Sequence, residues 1–182
     1  MHAERLAIPE VILLTPKIFR DARGFFSETY SVRAVQSAGL PLPFVQDNQS
    51  LSVDKGTVRG LHFQTEPHPQ GKLVRVVRGA IYDVAVDIRA GSPTFGHHVA
   101  AELSAANWRQ LWVPPGFAHG FATLEPDTEV IYKVTDYYAP ECDTGIAFDD
   151  PALGIKWPVT RADAVLSDKD RALPPLASLA GR

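Results

Sequence analysis

The sequence predicts an all-β protein, a sandwich or barrel of many short strands with a few short helices, mainly N-terminal and C-terminal. Three observations carry this. Apolar residues recur with period two, most clearly in AIYDVAVDIR at 80–89. There Tyr82, Val84, Val86 and Ile88 share one face, and Ile81, Asp83, Ala85, Asp87 and Arg89 share the other. Turn signals separate such segments: Arg78-Gly79, Gly91-Ser92-Pro93, Pro114-Pro115-Gly116 and Glu125-Pro126-Asp127. Finally, the 13 glycines and 15 prolines are scattered as punctuation rather than gathered in a linker.

In chain order, a short helix is expected at 31–38, with Ser31 as N-cap and Gly39 as terminator. Strands follow at 57–64, 72–78, 80–89, 97–103, 109–113, 120–124 and 128–136. A second helix is expected around 161–171, and the last ten residues, LPPLASLAGR, read as loosely held. No internal repeat interrupts this order, and 182 residues suit one domain over 1–182 with a real core.

Composition narrows the function classes. The chain is 45% hydrophobic and 21% charged, ordinary values for a globular protein. Its formal net charge of −3 comes without a basic stripe, so a nucleic-acid partner is not expected. No stretch approaches the roughly 20 apolar residues of a membrane span, and Glu4 and Glu10 interrupt the only apolar run near the start. Neither a membrane partner nor a signal peptide is expected, and the location read from this is cytoplasmic. Cys142 is the only cysteine, which excludes an intrachain disulfide and a cysteine-rich metal site.

The chemistry concentrates in three segments: Gly56-Thr-Val-Arg-Gly-Leu-His62-Phe-Gln64, Gln70-Gly-Lys72 with Gly79 seven positions on, and Pro114-Pro-Gly116-Phe-Ala-His119-Gly120. Their spacing resembles the two cupin motifs, which implies a jelly-roll β-barrel. The departures matter more. Metal-binding cupins want a second histidine and a glutamate where this chain has Gln64 and Lys72. A lysine repels a divalent cation and attracts an oxyanion, so neither a metal nor another cofactor is expected. His62, Lys72 and Tyr132 together suit proton transfer beside a ketone. A base removes the α-proton, a cation holds the enolate oxygen, and an acid returns a proton to the opposite face. Neutral imidazole makes His62 the natural base, Lys72 is the natural oxyanion partner, and Tyr132 shares a strand face with Val130 and Val134.

The chain also resembles the dTDP-4-dehydrorhamnose 3,5-epimerase family over nearly its whole length. The matching blocks include PKIFRDARGFF at 16–26, FVQDN at 44–48, RGLHFQ at 59–64, GKLVR at 71–75, YDVAVDIR at 82–89, SPTFG at 92–96, QLWVP at 110–114, GFAHGF at 116–121 and YKVT at 132–135. The resemblance implies His62 as proton acceptor, Tyr132 as donor and Lys72 beside the C4 carbonyl oxygen. It makes Asp170, in Ser167-Asp-Lys-Asp170, the carboxylate behind His62, with Asp83 a second candidate by strand position. It further implies nucleotide contacts from Arg23, Glu28, Gln46, Asn48, Arg59, His119 and Lys169, with Tyr137 stacked on the thymine. Asp143 stands where the family often has glutamate. A homodimer exchanging an N-terminal strand is implied as well.

Plainer readings stand beside these. His119 could simply close the Pro-Pro-Gly turn, Asp83 and Asp87 could face water on an edge, and Asp170 could be a tail charge beside Lys169. The segment at Arg23 could be an ordinary turn entering a hydrophobic strand. Trp108, Trp112 and Trp157 read as core or interface. Strict alternation puts Arg59 and His62 on opposite faces, so joint contact with a ligand requires a bulge or strand end near Gly60. Besides a 3,5-epimerase, the residues admit a single-carbon epimerase of a dTDP-4-keto sugar, a non-catalytic sugar-nucleotide-binding cupin, and a metal-dependent cupin oxygenase.

Overall fold

The computed structural model describes residues 1–40 and 43–179. The described residues form thirteen strands: β1 (His2–Arg5), β2 (Ile12–Thr15), β3 (Ile18–Asp21), β4 (Gly24–Ser27), β5 (Gln46–Ser52), β6 (Val58–Gln64), β7 (Lys72–Arg78), β8 (Ala80–Asp87), β9 (His98–Ser104), β10 (Gln110–Val113), β11 (Phe117–Thr123), β12 (Thr128–Val134) and β13 (Asp143–Gly145). One antiparallel sheet has the order β1-β2-β10-β7-β12-β5, and the sheet facing it runs β13-β6-β11-β8-β9. Among the described residues the hairpin β3–β4 pairs only with itself.

The period-two pattern explains the main core. Leu13, Val74, Val76, Leu111, Val113 and Val130 of the first sheet meet Ile81, Ala85, Val99, Leu103, Phe117 and Phe121 of the second. Both faces of β8 are buried, because Tyr82, Val84 and Val86 pack outward under Ile146, Leu153, Trp157 and Leu176. Asp83 and Asp87 therefore do not face water; both are 0% exposed. Asp87 accepts hydrogen bonds from Arg89, Ser92 and Thr94.

Helix α1 (Val32–Ser37) forms where expected, capped by the Ser31 side chain, with Gly39 at φ +85° behind it. The C-terminal helix α2 is shorter than expected, only Asp168–Arg171. Residues 161–163 form a separate turn, with Ala164 N–H donating to the Thr160 carbonyl, and Val165 bridges to Thr57 beside β6, so the helix starts only after Ser167, its N-cap. The loosely held tail is also corrected as far as Leu179. Leu176 is buried, its N–H donates to Asp150, and Ala147 N–H donates to the Pro174 carbonyl. The last three residues lie outside the described residues. Strand β11 begins three residues before its expected start, directly after the Pro-Pro-Gly116 turn. Strands β1 to β5 and the short β13 lie outside the expected set; β13 is three residues long, too few to show a period. No helix among the described residues is long and apolar enough to cross a membrane.

Candidate active site

A cleft of about 420 Å³ opens between the two sheets, lined by Arg59, His62, Lys72, His119, Tyr132 and Asp170 among others. A smaller lobe of about 150 Å³ shares His62, Lys72, Tyr132 and Lys169 and adds Gln46, Asn48, Tyr138 and Asp143. The five-stranded sheet supplies His62 from β6 and His119 from β11, which are direct register partners. The six-stranded sheet supplies Lys72 from β7 and Tyr132 from β12.

Arg59 and His62 both reach the cleft because β6 bulges between them. His119 pairs with His62 but Phe121 pairs with Arg59, so β6 carries one extra residue at this point. Gly60 makes the crossing possible. It sits at φ +123°, and a Cβ there would lie 2.6 Å from both Gly120 Cα and the His119 carbonyl oxygen.

His62 Nε2–H donates to Asp170 Oδ1 at 2.5 Å. That bond fixes the tautomer and leaves Nδ1 with the ring's lone pair. Asp170 is almost fully buried. Burial acts to raise its pKa, but the hydrogen bonds from His62 and Ser167, with the charges of His62 and Lys169, hold it below the ordinary carboxylate value. It is thus an anion behind the imidazole. Asp83, the other candidate for that place, bonds instead to His119 Nε2–H, 2.6 Å from its Oδ1. Lys72 donates to the His62 carbonyl at 3.3 Å. Burial lowers its pKa to about 8, against the opposing charges of Asp143 and Asp83. Burial raises the pKa of Tyr132, which keeps the phenol protonated at neutral pH.

Of the residues expected to contact nucleotide, Gln46, Asn48, Arg59, His119, Asp143 and Lys169 line this cleft. Gln46 donates to Asn48 at 2.9 Å, and Lys169 pairs with Asp143 at 2.5 Å. Three residues are not brought there by this chain. Arg23 is on the β3–β4 hairpin, paired with Asp21; Glu28 follows β4, exposed. Tyr137 is 64% exposed outside the lining. Its neighbour Tyr138 lines the smaller lobe and donates to Asp143 at 3.1 Å. Sequence reasoning missed Tyr138, and also Ser167, whose hydroxyl donates to Asp170 Oδ2 at 2.9 Å. The Ser-x-x-Asp capping pattern was the available signal for Ser167. Gln64, at the position of a cupin ligand, is committed to backbone groups of His68, Tyr137 and Ala139. Among the described residues no group of three or more His, Cys, Asp or Glu could hold a metal ion.

Two facing antiparallel sheets with an imidazole, an ammonium and a phenol converging between them define a cupin-type jelly roll whose cleft groups suit acid–base chemistry. Its relatives specify the chemistry. Residues 5–178 match the family model for dTDP-4-dehydrorhamnose 3,5-epimerase. A Sinorhizobium fredii protein of that description is 54% identical over 179 residues, covering 98% of this chain and 91% of the relative. The crystal structure of the Bacillus anthracis enzyme, with TDP and pyrophosphate bound, superposes with a TM-score of 0.92 at 50% identity, over 96% of this chain and 98% of that one. The Legionella pneumophila enzyme, in complex with dTDP-4-keto-L-rhamnose, also gives 0.92, at 46% identity over 98% and 96%. The chain belongs to the dTDP-4-dehydrorhamnose 3,5-epimerase family, and it is an isomerase.

Proposed function

We propose that the chain converts dTDP-4-dehydro-6-deoxy-D-glucose into dTDP-4-dehydro-L-rhamnose by inverting C3 and C5. One observation carries this reading: His62 and Tyr132 stand on opposite sheets of a single cleft, with Lys72 beside them. Inversion needs a proton taken from one face of the sugar and another given to the opposite face. His62 Nδ1 accepts the proton from the carbon next to the C4 ketone, and the C–H electron pair moves into an enolate. Asp170 stabilises the imidazolium as it forms. The Lys72 ammonium donates to the enolate oxygen. The Tyr132 hydroxyl then delivers a proton to the other face. Arg59, Lys169, Gln46 and Asn48 hold the nucleotide diphosphate, with Tyr138 added from the smaller lobe.

The working unit in this reading is a homodimer in the cytoplasm. Phe19, Phe25 and Phe26 on the β3–β4 hairpin are 51%, 60% and 68% exposed, which is unusual for large apolar groups together. The outer face of the six-stranded sheet has a cavity of about 460 Å³ lined by Tyr30, Leu73, Arg75, Gln110 and Ile131. The Arg75 Nε there has no partner among the described residues. Exchange of the N-terminal hairpin would cover these surfaces and carry Arg23 and Glu28 to the partner's cleft. Sedimentation equilibrium should give about twice the 19.9 kDa chain mass.

The deciding experiment is NMR of dTDP-4-keto-6-deoxyglucose incubated with the protein in D₂O. Deuterium should enter C3 and C5 with inversion at both. Absence of exchange at both carbons would overturn the assignment, and exchange confined to one carbon would limit it to single-carbon epimerisation.

A further inference from the structure

The cleft contains a second histidine–carboxylate pair that this proton transfer does not use. His119 and His62 are register partners on adjacent strands, and both line the cleft. Each donates Nε2–H to an aspartate, His62 to Asp170 and His119 to Asp83. The two aspartates differ. Asp170 is reached by His62 and Ser167. Asp83 is 0% exposed, and its Oδ2 receives no hydrogen bond among the described residues.

Packing does not require a carboxylate at this place. Ile81 and Ala85, on the same face of β8, belong to the main apolar core. An anion buried among such neighbours is strongly disfavoured unless hydrogen bonds and cations offset it. His119 is one partner. Lys72 is the other: its side chain is half-buried in the cleft wall, burial lowers its pKa, and the charges of Asp143 and Asp83 oppose that fall while Lys169 adds to it. The remaining titratable groups around Lys72 are His62 on β6, His119 on β11, Tyr132 on β12, Arg59 on β6 and Asp170 on α2. Asp143 is committed to Lys169 at 2.5 Å and to Tyr138 at 3.1 Å. Of the two carboxylates whose charge supports the Lys72 cation, Asp143 and Asp83, only Asp83 has no lysine or arginine in direct contact among the described residues.

We propose that Asp83 is a positioning residue of the site, whose buried carboxylate fixes the Nε2–H tautomer of His119 and keeps Lys72 cationic opposite the substrate ketone. The ketone in that statement rests on the proposed function. The two electrostatic roles do not, and both can be read on the free protein.

Histidine ¹⁵N spectra of the wild type should show His119 as the Nε2–H tautomer, with Nδ1 bare; its signals are identified by their loss in His119→Asn. The Nδ1–H tautomer would overturn the proposal. Titration of ¹³C-labelled lysine should place Lys72, identified by its loss in Lys72→Arg, at about 8. In Asp83→Asn the midpoint should fall by about one pH unit, the usual effect of removing a neighbouring opposite charge. The alkaline limb of kcat/KM should fall with it. Activity at pH 8 then drops about fivefold relative to wild type while activity at pH 6 changes less than about twofold. A purely structural role would lower both alike. An unmoved Lys72 midpoint in the folded variant refutes the charge role. Asp83→Ala, which leaves no amide to satisfy, is the second variant and must show the same downward shift if Asp83→Asn does not fold. A wild type with the expected tautomer and titration but no turnover would overturn the proposed function and leave the two electrostatic roles intact.

Discussion

Replacing Tyr132 with phenylalanine separates proton removal from proton delivery. The substitution deletes one oxygen and leaves the ring packed against the main core. The raised pKa of this tyrosine comes from burial, with Arg59 and Asp143 acting in opposite directions and no hydrogen bond contributing. Loss of the hydroxyl thus orphans no partner, and stability should change by under about 0.5 kcal/mol. The catalytic cost is far larger. Positioned acid catalysis is worth about 10² to 10⁴ in rate, which is about 3 to 5 kcal/mol of barrier. His62, Asp170 and Lys72 stay in place, so the enolate still forms, and its proton returns from His62 on the original face. In D₂O the variant should wash deuterium into C3 or C5 with configuration kept, while inverted product falls at least about 100-fold. Wild type should couple label uptake to inversion. Both quantities come from one NMR sample, so enzyme concentration and folded fraction cancel. Inversion at the wild-type rate would show that Tyr132 is not the acid. Joint loss of exchange and inversion, with folding and nucleotide binding intact, would refute the division of labour.

Three further outcomes follow from the same geometry. His62→Asn should lose at least about 100-fold in turnover while dTDP affinity, measured by calorimetry, stays near wild type. With Lys72 titrating at about 8, its cationic share falls from roughly nine-tenths at pH 7 to roughly one-tenth at pH 9, so kcat/KM should drop about tenfold over that interval; a flat profile would remove Lys72 as the oxyanion partner. Gly60→Ala places a Cβ 2.6 Å from the backbone of β11. It should cost about 2 to 5 kcal/mol in thermal or urea unfolding, and a variant as stable as wild type would show that the crossing of β6 and β11 is looser than the contacts indicate.

Much of this protein follows from its sequence alone. The period-two runs at 58–64, 72–78, 80–87 and 128–134 determine strands, since alternation is local and survives without knowledge of partners. Ser31 and Gly39 bracket a helix through capping that the neighbouring residues complete among themselves. The lysine and the amide at Lys72 and Gln64 express their chemistry in the residue type itself. Tertiary structure decided what depends on pairing at a distance. Which aspartate backs His62 could not be read from strand position; it followed from where α2 docks and from the choice of Asp83 for His119, 36 residues away. Asp83 and Asp87 look solvent-facing in the alternation, yet β8 lies between β11 and β9 and is covered on both sides, outward by the C-terminal segment. Tyr138 rather than Tyr137 lines the smaller lobe because the chain has left β12 by then, and period two no longer sets direction. Alternation placed Arg59 and His62 on opposite faces. Only the crossing of Gly60 over Gly120, a close approach between strands far apart in sequence, turns both into one cleft.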